Sequence, residues 1–113
     1  MAIQPGRYDI TLQRRADYSV SLQFKDSNDA AVDLTGYTVY AQVWDKARTS
    51  KAADFEIVYT DREDGRVTIS LTDEQTTVFS DELRYDVLLE NPSGEREYYL
   101  EGVIFVNQGY TAP

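Results

Sequence analysis

Apolar and polar residues alternate with a period of two in short runs that clusters of Gly, Pro, Asn and Asp interrupt, and this constrains the fold more than any other feature of the chain. Successive side chains of an extended strand point to opposite faces, so alternation marks a strand with one face buried. In "RYDITLQ" Tyr8, Ile10 and Leu12 share a face, and in "DYSVSLQF" Tyr18, Val20, Leu22 and Phe24 do the same. The "RRAD" between them suits either a hairpin or one long strand that bends into a second sheet. "KDSNDAA" reads as a turn, because Asp and Asn side chains bond their own backbone and tolerate left-handed conformations. In "VDLTGYTVYAQVW" Gly36 supplies a backbone angle that other residues avoid, and the strand after it turns Tyr37, Val39, Ala41 and Val43 inward. The opposite face carries Thr38, Tyr40, Gln42 and Trp44. Two large aromatics where alternation expects polar groups make that face one that should be covered.

The polar stretch 45–54, "DKARTSKAAD", reads as a loop. "FEIVYT" then points Phe55, Ile57 and Tyr59 inward, and "DREDG" turns the chain into "RVTISL", the pattern of a hairpin. "TDEQTTVF" is the one helical signal: Thr72 with Gln75 three residues on forms a capping box, and Asp73 and Glu74 suit the positive start of a helix. "LRYDVLLE" offers Tyr85, Val87 and Leu89 to the core, "NPSG" turns, and "REYYLEGVIFVN" is a last long strand with Leu100, Ile104 and Val106 on one face. About seven strands at regular spacing predict an all-β fold, a single small antiparallel β-sandwich of Ig-like type with one short helix before the penultimate strand. At 113 residues the chain holds one domain, 1–113, with extended arms at 1–6 and 108–113.

Composition narrows the chemistry. A formal charge of −9 opposes binding to a phosphate backbone, whose affinity comes chiefly from Lys and Arg, so nucleic acid is not an expected partner. Without Cys there is no thiolate nucleophile or thiolate metal site, and without His the usual general base and commonest transition-metal ligand are missing. No apolar run is long enough to span a membrane and "MAIQPGRYDI" has no secretion signal, so no membrane association is expected and synthesis is in the cytoplasm without secretion.

Acidic clusters invite two chemical readings. Asp61, Glu63 and Asp64 in "TDREDG" would suit a paired-carboxylate hydrolase only if a cleft held two carboxyl groups apart in pKa; a solvated turn is the simpler reading. Asp26, Asn28, Asp29 and Asp33 offer oxygen ligands for calcium. An EF-hand counted from Asp26 would need Gly at 31 and Glu at 37, where the chain has Ala31 and Tyr37. The expected protein is therefore not an enzyme and carries no cofactor and no metal site. Tyr40, Trp44, Tyr98 and Tyr99 form a candidate aromatic surface for a subunit interface or a sugar, and Tyr110 lies in a terminal arm that would bridge subunits.

The turn and strand "VDLTGYTVYAQV", the step "GRVTISLTDEQT" and the hairpin "LRYDVLLENPSGEREYYLEGVIFV" together resemble a β-sandwich domain of tailed-bacteriophage virion structural proteins, of the baseplate and tail-fibre attachment type. The likeness covers about residues 8 to 107 and rests on fold-shaping residues, so it brings no catalytic residues with it. It implies a virion structural protein that docks onto other virion structural proteins, and onto itself if homo-oligomeric, as an adaptor of the tail, baseplate or tail fibre. A capsid decoration protein and a glycan- or receptor-binding module are the alternatives.

Overall fold

The computed structural model describes residues 6–112. Its strands are β1 (Gly6–Arg7), β2 (Ile10–Gln13), β3 (Tyr18–Gln23), β4 (Thr38–Trp44), β5 (Lys51–Asp54), β6 (Glu56–Asp61), β7 (Arg66–Leu71), β8 (Glu82–Glu90) and β9 (Arg96–Asn107), with α1 (Asp73–Thr77) between β7 and β8. The larger sheet runs β1-β9-β8-β4-β5, with β2 also on β9; the smaller runs β3-β7-β6. The β1 and β2 pairings are parallel and the others antiparallel. This is the expected Ig-like sandwich, with the helix in the expected place.

Among the described residues there are nine strands rather than seven, and each addition has a cause in the tertiary contacts. The first run is split at Tyr8–Asp9, because Tyr8 gives its carbonyl to the Tyr85 hydroxyl (2.5 Å) and Asp9 accepts the Val103 amide (3.0 Å). Tyr8 is consequently exposed rather than in the core. The second addition is β5, which takes up the end of the stretch read as a loop; "KAAD" has only two alanines as an apolar signal, yet Ala53 is buried. The "RRAD" segment is a bend between sheets, with Arg15 at φ 68°. On the opposite side Phe55 alone separates β5 from β6. Its amide still bonds Ala41 of the larger sheet (2.9 Å), its ring is buried, and Glu56 already pairs with Ser70 of the smaller sheet. Each lateral margin of the sandwich is thus a strand that changes sheet.

Between the sheets lie Ile10, Phe24, Leu34, Val43, Val67, Ile69, Val87 and Ile104, all at most 1% exposed. Each such side chain contributes about 2 kcal/mol by leaving water. The helix closes one end. Thr72 accepts the Gln75 amide and Gln75 returns a bond to the Thr72 amide, while the fully buried Thr76 donates to Ala16 O (2.9 Å). At the other end Leu34 is buried, Arg62 lies 3.6 Å from the centre of the Tyr59 ring, and its guanidinium donates to Leu34 O and Tyr37 O. The Tyr59 hydroxyl accepts the Val39 amide (2.9 Å). Gly36 has φ 78°, as the turn requires.

Of the arms, residues 1–5 and 113 lie outside the described residues, and Gly6 already belongs to β1. The other arm is tied down: Arg15 donates to Gln108 O (2.8 Å) and Gly109 O (2.9 Å), and Arg14 to the Gln108 side chain (2.5 Å).

Candidate functional site

Strand register assembles one distinctive surface, the outer face of the larger sheet. Tyr40 stands opposite Leu88, and Leu88 opposite Tyr98. The next row runs Gln42, Asp86, Glu101 and Arg7, and the row beyond it Trp44, Arg84 and Val103. An open depression of about 580 Å³ lies over these rows. The chain itself leaves this face largely open: Tyr40 is 42% and Tyr98 53% exposed. Trp44 is half-buried because the loop after β4 brings the Arg48 guanidinium to 4.5 Å from its ring, while its indole N–H donates to Gln42 (2.9 Å).

Its charge differs from that of the rest of the molecule. Arg7, Lys46, Arg48, Arg84 and Arg96 line the depression, five of the eleven cationic side chains, against Asp45, Asp86 and Glu101, three of the twenty acidic ones. Glu82, Glu90 and Asp9, which pair with these cations, nearly balance them, so a chain of charge −9 presents here a charge-mixed, aromatic face. Arg84 and Lys46 pair with Glu82, Arg96 with Glu90 and Arg7 with Asp9, at 3.0 to 3.8 Å. Pairs this exposed are worth about 0–1 kcal/mol and are readily exchanged for a partner's groups. Asp86 is held above the usual carboxylate range, first by burial and then by Glu101 opposite it, with Arg48 acting in the other direction.

Of the aromatic residues singled out from sequence, Tyr40, Trp44 and Tyr98 share this face. Tyr99 does not. A bulge facing Val87/Leu88 inserts one residue into β9, which turns Tyr99 inward against Phe24 (ring centres 4.5 Å apart) and carries its hydroxyl to Gln23 O and the Lys25 amide. Tyr110 is almost fully exposed in the C-terminal segment, off the sheet. Leu88, Arg48 and Phe105 belong to the surface and were not picked out by sequence reasoning. Phe105 was legible, since inward Ile104 and Val106 force it outward, where it is 42% exposed.

The acidic turns have local structural partners. Asp26 Oδ1 accepts the amides of Asn28 and Ala30. Asp33 accepts the Thr35 hydroxyl and amide, which hold its carboxyl below the ordinary range. Asp64 pairs with Arg66 (2.6 Å), and Asp61 accepts the Asp64 amide. Among the described residues, no three acidic side chains come together in an arrangement able to hold a metal ion.

Comparison with known proteins agrees with this architecture. The filamin domain of Lin-41 is similar in structure with a TM-score of 0.50 and 14% identity, over 88% of this chain and 84% of that one. A chain from the complex of ICOS with ICOS-L and an anti ICOS-L VNAR domain gives a TM-score of 0.57 and 11% identity over 91% of this chain, which spans 56% of that one. At such identities the likeness is one of fold alone. No curated protein matches the sequence. Residues 4–107 match the model of a family described as LtfC-like, β-sandwich domain. The chain belongs to the LtfC-like β-sandwich family, a phage β-sandwich domain.

Proposed function

We propose that this chain is a non-catalytic structural component of the phage tail, an adaptor of the baseplate or tail-fibre assembly that docks through the outer face of its larger sheet. The observation that carries this reading is the Tyr40, Leu88, Tyr98 row, left open across three strands and bordered by weakly paired cations. Tyr and Arg are enriched where protein surfaces meet, and an open aromatic row on a rigid sheet is a surface that a partner covers. The family's namesake, a phage tail-fibre-related protein, gives the tail its preference as the location. Gold-antibody labelling of intact source particles in electron microscopy tests it. Label at the tail end is expected; label spread over the head would replace the adaptor with a capsid decoration protein.

One observation favours a second reading. Exposed Tyr40 and Tyr98 beside arginines suit an acidic glycan as well as a protein, and the single Trp44 sits on the same face as a fluorescent reporter. Titration with host-surface glycans that leaves Trp44 emission unchanged would remove this reading.

A further inference from the structure

Three of the four sheet margins carry features that block the addition of another strand. The edge strand β6 has a bulge between Tyr59 and Asp61 and bears Glu56 and Asp61. β5 is four residues long with Lys51 and Asp54 at its ends. The β1/β2 margin is broken at Tyr8–Asp9. Charges, bulges and shortness are the usual guards of an edge. The fourth margin, β3, has none: "YSVSLQ" is six residues in unbroken register with β7, without charge, proline or bulge.

The phase of the ladder identifies its free groups. The Phe24 amide donates to Gly65 O in the β3–β7 register, so Phe24, Leu22, Val20 and Tyr18 bond toward β7. Ser19 and Ser21 then turn their N–H and C=O groups to the open side, where no hydrogen bond reaches them among the described residues. Gln23 O, the next in line, accepts the Tyr99 hydroxyl. We infer that β3 pairs with the β3 of a second copy, antiparallel and centred on Val20. In that register Ser19 of each copy faces Ser21 of the other, and the two pairs exchange four backbone hydrogen bonds.

Self-pairing fits the chemistry of this edge. Tyr18, Val20 and Leu22 are half-buried at the margin and would meet Leu22, Val20 and Tyr18 of the other copy. Ser19 and Ser21 and the residues they face on β7, Ser70 and Thr68, are uncharged, the charged Glu56 and Arg66 of the same face standing opposite Ser70 and Gln23, so two copies of a −9 chain meet here with no like charges opposed within β3. An edge without charge carries no code to select a foreign strand. The two smaller sheets become one six-stranded sheet, and the aromatic face of each larger sheet stays free.

Sedimentation equilibrium of the whole chain over a concentration series tests the inference. A monomer–dimer equilibrium is expected, little changed by salt. Ser21→Pro removes an amide that the β7 ladder does not use, and the double variant Ser19→Lys/Ser21→Lys sets lysine against lysine across the pairing; both side chains are exposed, so the second variant reads the interface even where the proline disturbs folding. Each variant that folds by circular dichroism should dimerise about tenfold more weakly or not at all. A native chain that stays monomeric, or a dimer that persists unchanged in the double variant, overturns the proposal.

Discussion

Gly102 lies in β9 where the first strand breaks. A Cβ there would stand 2.0 Å from the Tyr8 carbonyl oxygen and 3.0 Å from the Tyr85 ring, and backbone cannot yield as a flexible side chain can. Gly102→Ala should therefore destabilise the protein by about 3 kcal/mol, read as a lower urea midpoint with an unchanged slope. At Asp86 burial and Glu101 disfavour the charged carboxylate. Because its folded pKa is raised, its favourable contribution is full only below the carboxylate range and is lost as pH rises. Asp86→Asn is accordingly expected to raise the melting temperature at pH 7, with the gain shrinking as pH falls toward 4. Residues of this kind were only half legible in the sequence. Gly102 lies in the hairpin stretch whose likeness rests on fold-shaping residues, but what it avoids is a carbonyl more than ninety positions earlier, which no local pattern encodes.

Elements were readable where their stabilising contacts are local. The capping box of α1 follows from Thr72 and Gln75 alone, and Thr72→Ala should cost about 1 kcal/mol in urea unfolding. β5 was missed for the opposite reason: its place depends on β4 beside it and on Phe55 crossing between the sheets, not on its own two alanines. Tyr99 shows the same limit. Alternation treats neighbouring tyrosines as opposite in facing, but the bulge decides which of them faces outward, and that depends on the β8 register. Tyr18, in β3, has its phenol pushed up from 10.0 to about 12, first by burial and then by Tyr8. A raised folded pKa gives stability that is complete below pH 10 and lost as pH climbs toward 12. The melting temperature should fall across that window, and Tyr18→Phe should flatten the fall.

At the scale of the whole molecule, the sandwich was the most legible property, because two-residue periodicity with regular turns leaves few alternatives. Which face meets a partner was less so. Sequence grouped Tyr40 and Trp44 with Tyr98 but did not find Leu88 and the cations around them, which converge only when β4, β8 and β9 lie in register. On the proposed adaptor reading, the contrast between this charge-mixed aromatic sheet face and the acidic body gives the domain a direction in which to dock. The most direct measurement is a site-specific photocrosslink in assembled particles, with a photoreactive phenylalanine at Tyr40 on the larger sheet and, separately, at Val58 on the smaller. The account predicts an adduct with another tail protein from position 40 and none with a foreign protein from position 58; crosslinking from 58 alone would contradict it.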